Sequence, residues 1–282
     1  MRKTVLFILL FGVLSCTEDR FLPEDSSLVI EGYIENDGYP VVMVSKTMPM
    51  TSEERSLKSL GDYIVKWAKV SIINRNDTVI LTGKYDKGFF PPYIYTTSRL
   101  KGKVGETYKL IVEYKDKSAN ATTTITTVPD VDKYIVERCT DNDTLYQIKA
   151  IFTTKSNTRN YYQFFSRVGT SSKQYIASFL GSFYDEVSGD SIEIPVYRGH
   201  HILNDDYTPY FSVNDTVAVK CCHLDDFAYN YWKTFIESQY LSEAAMLSTT
   251  TNMPTNIVGG IGYWFGYGSA TSYFIIKDYA DQ

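Results

Sequence analysis

Three histidines, His200, His201 and His223, are the only side chains of this 282-residue sequence, apart from any perturbed thiol, that could act as a base near neutral pH. His200-His201 lies close to Asp205-Asp206, a donor set for a divalent cation. Neighbouring histidines in an irregular stretch rarely converge on one ion, so a surface loop is expected there. Cys221-Cys222-His223 also gathers donor atoms, but a vicinal cysteine pair lacks the spacing of a zinc knuckle and reads as buried strand thiols. No metal site is expected. The sequence has no Gly-x-Ser-x-Gly elbow, and nothing selects a pair of carboxylates for glycoside hydrolysis. The glycines from Gly259 to Gly268 would suit a phosphate cradle only if a helix followed at once, and the sequence continues as strand. The expectation is a non-enzyme with no catalytic residue and no cofactor.

A different chemistry is written at the N-terminus. Met1-Arg2-Lys3 is a short basic start, Val5 to Leu14 is apolar, and Ser15 precedes Cys16. The apolar run is too short to span a bilayer, which takes about 20 residues, so residues 1–15 read as a lipoprotein signal peptide. Cys16 is the expected lipid attachment site, since several acyl chains at about 0.8 kcal/mol per buried CH₂ anchor stably where one would not. Residues 16–26 form a tether, and its acidic Glu18-Asp19 resembles an outer-face sorting signal. Both leaflets of the outer membrane remain open. No later segment is apolar enough to span, so outer-membrane lipid is the expected anchor.

Cys139, Cys221 and Cys222 remain, an odd number in an oxidising compartment, which allows one disulfide. Adjacent strand residues point to opposite faces, so Cys139 could meet Cys221 or Cys222 but not both. Asp-Ser/Thr-aliphatic triplets resemble an O-glycosylation sequon, which would make Thr78, Thr144, Ser191 and Thr216 the acceptors. A turn aspartate followed by a β-branched strand start yields the same triplet.

These groups are positioned by strands. Leu28 to Glu35 and Val41 to Thr47 flank Asn36-Asp37-Gly38 as a hairpin. Thr51-x-x-Glu54 is a capping box and predicts a short helix or ordered loop. Strands resume at Val65 to Asn74 and Thr78 to Thr82. Pro91-Pro92 limits Tyr93 to Thr96 to an edge or a strand start, and Thr107 to Tyr114 and Ala119 to Val128 follow. About seven strands with short connections predict an immunoglobulin-like or transthyretin-like β-sandwich over residues 27–129. Residues 130–282 read as a second β-rich domain, with strands at Leu145 to Thr153, Tyr161 to Val168 and Asp215 to His223. Weaker strand signals run from Gly169 to Tyr210. One amphipathic helix is predicted near 226–241, capped by Asp225-Asp226, with Phe227, Tyr231 and Phe235 on one face. The fold class is all-β.

Net charge of −5 argues against a nucleic-acid partner, which requires a basic face. The 24 tyrosines fit strands and would also suit stacking on sugars. Tyr263, Trp264 and Tyr267, dense in aromatic surface, are a candidate partner or ligand surface, with core packing as the alternative.

Five stretches in order carry a family resemblance: Leu28 to Ile34, Val104 to Leu110, Asn214 to Val219, Tyr229 to Lys233 and Thr255 to Gly262. Together they resemble the Bacteroidota lipoproteins of domain of unknown function family 4249 (DUF4249), over nearly the whole mature chain. Met253-Pro254-Thr255 stands where the family has an Asn-Pro-rich approach to the glycines. The resemblance implies a cell-envelope lipoprotein without assigned catalytic residues, associated with a TonB-dependent outer-membrane β-barrel. The leading expectation is an accessory protein of such a transporter in nutrient uptake. A surface adhesin or glycan-binding protein is the alternative, and a hydrolase would require a pocket around His200 or His223.

Overall fold

The computed structural model describes residues 26–48, 61–140, 142–153, 159–185, 191–199, 207–244 and 253–277. Cys16, the Thr51 capping box, His200, His201, Asp205 and Asp206 lie outside the described residues. The class is all-β. The first half holds β1 (Leu28–Glu35), β2 (Val41–Lys46), β3 (Lys69–Asn74), β4 (Asp77–Ile80), β5 (Thr82–Tyr85), β6 (Tyr93–Thr96), β7 (Thr107–Tyr114) and β8 (Lys117–Thr124). The second half holds β9 (Lys133–Cys139), β10 (Asn142–Thr153), β11 (Asn160–Val168), β12 (Ile176–Asp185), β13 (Ser191–Val196), β14 (Phe211–Ser212) and β15 (Thr216–Leu224). The helix α1 (Asp226–Ala244) and the long β16 (Ile261–Ile275) complete it.

One eight-stranded sheet, ordered β12-β11-β15-β16-β1-β2-β6-β5, runs through both halves. The boundary at residue 129 divides the sequence, but the sheet crosses it, because β16 pairs parallel with β1 and antiparallel with β15. Two smaller sheets pack on one face of this platform. The sheet β4-β3-β7-β8 closes a sandwich over the β1–β2 end, with Ile30, Val42, Val70, Leu110 and Trp264 in its core. The sheet of β13, β10, β14 and β9 closes a second over β11 and β15, around Ile148, Phe152, Phe164, Val219 and Cys221.

Local chemistry explains the turns. Asp37, Arg75 and Lys115 take the left-handed conformation at the β1–β2, β3–β4 and β7–β8 connections, with φ of 58°, 54° and 54°. The expected strand from Thr78 to Thr82 is instead two strands, β4 and β5, in different sheets. They separate at the buried Leu81, whose N–H bonds the Val70 carbonyl at 2.8 Å. β6 starts directly after Pro91-Pro92, as proline chemistry requires, but lies between β2 and β5 instead of at an edge.

Alternation along β16 explains its aromatic-glycine composition. Tyr263, Phe265 and Tyr267 point to the open face of the platform, and Trp264, Gly266 and Gly268 to the opposite face. The chain leaving β8 crosses the glycine side so closely that a Cβ on Gly266 would lie 2.8 Å from the Thr124 carbonyl oxygen. One on Gly268 would lie 2.1 Å from that of Thr127. The Gly266 and Gly268 amides donate to the hydroxyls of Thr123 and Thr126 at 2.8 and 2.9 Å. Gly268→Ala should therefore cost about 1–3 kcal/mol, the usual range for overpacking. A urea midpoint unchanged from wild type would refute that reading of the crossing.

Candidate functional site

The open face of the platform is covered by α1. Asp225 caps the helix, its Oδ1 accepting from the Ala228 N–H at 2.7 Å. Tyr231 and Phe235, four residues apart, join Trp232 on the sheet-facing side. They meet Tyr263 and Phe265: Tyr231 is 4.9 Å from Tyr263 and 5.4 Å from Phe265, centroid to centroid, and Trp232 is 5.7 Å from Tyr263. The Trp232 indole N–H donates to the Tyr267 hydroxyl at 2.9 Å.

Between helix and sheet these rings leave a cavity of about 150 Å³. Its floor is set by period-two alternation on β1, which places Glu31, Tyr33 and Glu35 on the open face opposite the core residues Ile30 and Ile34. β15 adds Lys220 and Cys222, and β11 adds Phe165. Lys220 reaches across to Glu35, Nζ to Oε1 at 2.5 Å, and lies 4.0 Å from the centre of the Tyr175 ring. Glu31 has no such partner: among the described residues none hydrogen-bonds or ion-pairs with its carboxyl group. Its accessible surface faces the cavity and an adjoining groove, and burial raises its pKa above the ordinary 4.5. Burial likewise pushes up the phenols of Tyr33, Tyr263 and Tyr267 and the Cys222 thiol, so all remain neutral.

The cavity mouth is held by a clasp between the two halves. The Lys173 and Gln174 amides both donate to the Gly88 carbonyl, at 2.8 and 3.2 Å, and the Phe90 amide donates to Gln174 Oε1 at 2.9 Å. Lys173 Nζ bonds Asp86 Oδ2 at 3.0 Å, holding the Asp86 carboxyl below its ordinary pKa. The clasp fixes Phe89 and Tyr175 as walls. Glu31 and Phe89 also line a wider surface groove of about 630 Å³, with Lys46, Lys66, Tyr63 and Tyr93 along it.

Glu31 gives the protein a distinctive pH response. Its folded-state pKa is raised, so the folded state holds this proton more tightly than the unfolded chain. Stability from this group falls as pH rises from about 4.5 through the raised value, and the deficit is complete above it. Glu31→Gln should melt higher than wild type at pH 8 and equal to it at pH 4. Equal melting temperatures at both pH values would show that the carboxylate is solvated.

Trp264 is wholly buried on the opposite face, its indole N–H bonding the Tyr108 carbonyl at 3.0 Å, so it offers no partner or ligand surface. Tyr263 and Tyr267 are also buried, but they line the cavity. The expected exposed aromatic surface is therefore corrected to two cavity walls and one core residue, because alternate residues of a strand face opposite ways. Sequence reasoning missed Glu31 and Lys220; for Lys220 the signal was a lysine inside a strand otherwise patterned for burial, whereas Glu31 falls on the polar side of an alternating strand.

His223 lines a cleft of about 290 Å³ with Thr127, Asp130, Tyr162 and Asp185. Burial lowers its pKa. Its Nδ1 lies 2.8 Å from the Thr127 hydroxyl and 3.1 Å from the Thr127 carbonyl oxygen. Both contacts engage the same ring nitrogen with one residue, Thr127, and tie the imidazole to the chain leaving β8. Asp185 is engaged by the Asn160 amide at 2.6 Å and by the Asn160 side chain, closing the β11–β12 hairpin. Cys221 and Cys222 are buried free thiols, so no bond joins either to Cys139. Thr78, Thr144, Ser191 and Thr216 are all exposed, at or near strand starts. No group of three or more His, Cys, Asp or Glu residues suited to a metal occurs among the described residues. No described helix is long and apolar enough to cross a membrane.

Fold and cavity together define an all-β protein of two sandwiches sharing one sheet, with a helix-roofed aromatic cavity at their junction. The profile described as Domain of unknown function (DUF4249) matches residues 17–273, and the chain belongs to that family. A comparison with curated proteins finds no match. Among solved structures, a DUF4785 family protein from Legionella pneumophila is similar at 11% identity and a TM-score of 0.21. The match covers 70% of this chain and 52% of that one, so the chain spans about half its length.

Proposed function

We propose that the chain is a non-catalytic, lipid-anchored outer-membrane protein of Bacteroidota type, an accessory partner of a TonB-dependent transporter that captures a nutrient. The observation that carries this reading is the aromatic cavity under α1, which shares Glu31 and Phe89 with a surface groove. Concave, mainly apolar sites with a few placed polar groups are the usual form of small-molecule sites. The lipobox ending at Cys16 supports tethering, through which a bound ligand stays within reach of a barrel in the same membrane.

The test is gentle-detergent purification of the tagged protein from its native outer membrane, with co-purifying proteins identified by mass spectrometry. A stoichiometric β-barrel transporter is expected, and it should be lost in Cys16→Ala. A wild-type preparation without a barrel would refute the partnership.

Glycan binding is a second reading, favoured by the wide groove and by aromatic groups beside it. Tyr85 is 64% exposed on its wall, and Trp67, next to the groove residue Lys66, is 88% exposed. Such rings are stacking platforms for sugar faces. Under this reading a neutral oligosaccharide raises the melting temperature of wild type and not of Trp67→Ala/Tyr85→Ala. The four exposed hydroxyls at Thr78, Thr144, Ser191 and Thr216 are proposed glycan acceptors. Intact-mass measurement of the native protein should show hexose-spaced excess mass that shrinks as each is changed to alanine or valine; an unmodified mass would remove the proposal.

A further inference from the structure

We infer that the cavity under α1 takes a small organic cation, an ammonium or methylated ammonium group, with Glu31 as its counter-charge and aromatic faces as its walls. This rests on the reading of the cavity as a ligand site and names the ligand class.

Charge is the first argument. The cavity contains two carboxylates, Glu31 and Glu35, and one ammonium, Lys220. Lys220 is committed to Glu35 at 2.5 Å, which leaves one negative charge, on Glu31, without a partner among the described residues. Glu31 is half-buried, and partial withdrawal of an ionised carboxylate from water is costly unless it is paired. A fold that keeps one facing a lined void gains from any cation that enters.

Shape is the second argument. Tyr231 and Tyr263 meet at 56° and Trp232 and Tyr263 at 60°, so three rings form a corner instead of a parallel stack. Tyr231, Trp232 and Tyr263 all line the cavity, and aromatic walls of this kind are what recognise quaternary ammonium groups. The volume, about 150 Å³, is that of a cavity able to hold a benzene-sized guest. It is too small for a sugar chain or a folded peptide.

Coupling to protons follows. Cation binding favours the ionised Glu31, so it weakens as pH falls through the raised pKa of that carboxyl group and displaces its proton there. The other groups facing the cavity are Glu35 and Lys220, which pair with each other, and the phenols of Tyr33, Tyr231 and Tyr263, which burial keeps neutral. Along the groove Glu31 also faces Lys46, Lys66 and Lys87, none of which bonds its carboxyl group, and burial alone accounts for its raised pKa.

The experiment is isothermal titration of the full chain in neutral detergent with tetramethylammonium and choline. The uncharged choline isostere 3,3-dimethylbutan-1-ol and acetate are the comparison ligands. One equivalent of cation should bind at least tenfold more tightly than the isostere, and acetate not at all. Glu31→Gln should weaken the cation at least tenfold and leave the isostere unchanged. Ala177→Leu, which fills the cavity from its wall, should abolish both and serves if Glu31→Gln does not fold. Equal affinity for choline and its isostere, tight acetate binding, or silence toward both cations would overturn the inference. Silence in a protein that still co-purifies with a barrel would remove the ligand class alone; cation binding without a barrel would remove the partnership alone.

Discussion

Trp264→Ala is expected to lower the free energy of unfolding by about 3–5 kcal/mol, enough to consume much of the stability of an ordinary domain. The side chain is 0% exposed and sits in the first sandwich core. Its ring lies so close to Gly32 that a Cβ there would come within 2.9 Å of the indole. Truncation removes buried apolar area, opens a cavity that rigid sheet backbones on both sides cannot fill, and deletes the hydrogen bond to the Tyr108 carbonyl. Trp264→Phe should cost less, since it keeps most of the volume. Chemical denaturation of the three proteins gives the ranking; an alanine variant within 1 kcal/mol of wild type would show that β16 is not part of that core.

The second large effect is at Lys220. Lys220→Ala leaves Glu35 facing the cavity floor without its ammonium, and loss of one partner from a buried pair costs about 3–5 kcal/mol. Side-chain exposures of 10% for Lys220 and 15% for Glu35 place this pair at the buried end of that behaviour. Ser269 Oγ also donates to Glu35 at 3.1 Å and would retain part of the carboxylate's support. Removing both charges in Lys220→Met/Glu35→Gln should recover most of the loss, because the penalty belongs to the orphaned charge. A double variant no more stable than Lys220→Ala would mean that the lysine acts through packing on Tyr175 instead.

Much of the frame was legible because it is written in short-range chemistry. The Asn36-Asp37-Gly38 turn, the Asp225 cap and the i, i+4 aromatics of α1 each act within a few residues, and each appears where its local signal lies. What could not be read was long-range pairing. Nothing in Leu28 to Glu35 announces that Ile261 to Ile275 lies beside it in parallel, so two domains were expected where one sheet joins both halves. Gly169 to Tyr210 gave weak strand signals because β12 is bulged against β11, interrupting the alternation that marks a strand.

The site was legible by halves for the same reason. Aromatic density singled out Tyr263 and Tyr267, yet exposure cannot be read without knowing that α1 lies over them. Glu31 looks like a solvent-facing residue of an alternating strand, and only the helix above it turns that carboxylate into a half-buried one. Tyr263, which lines the same cavity, is the direct neighbour of Glu31 across the β1–β16 ladder, a pairing 232 positions apart in sequence.

If the protein acts as proposed, the cavity under α1 holds a ligand in the cell. Native mass spectrometry of the full chain, isolated gently from the membranes of the cells that make it, tests this most directly, with wild type and Ala177→Leu compared side by side. A low-mass species retained at one per chain by wild type and missing from Ala177→Leu is the predicted result. The same retention by both proteins, or by neither, would contradict it.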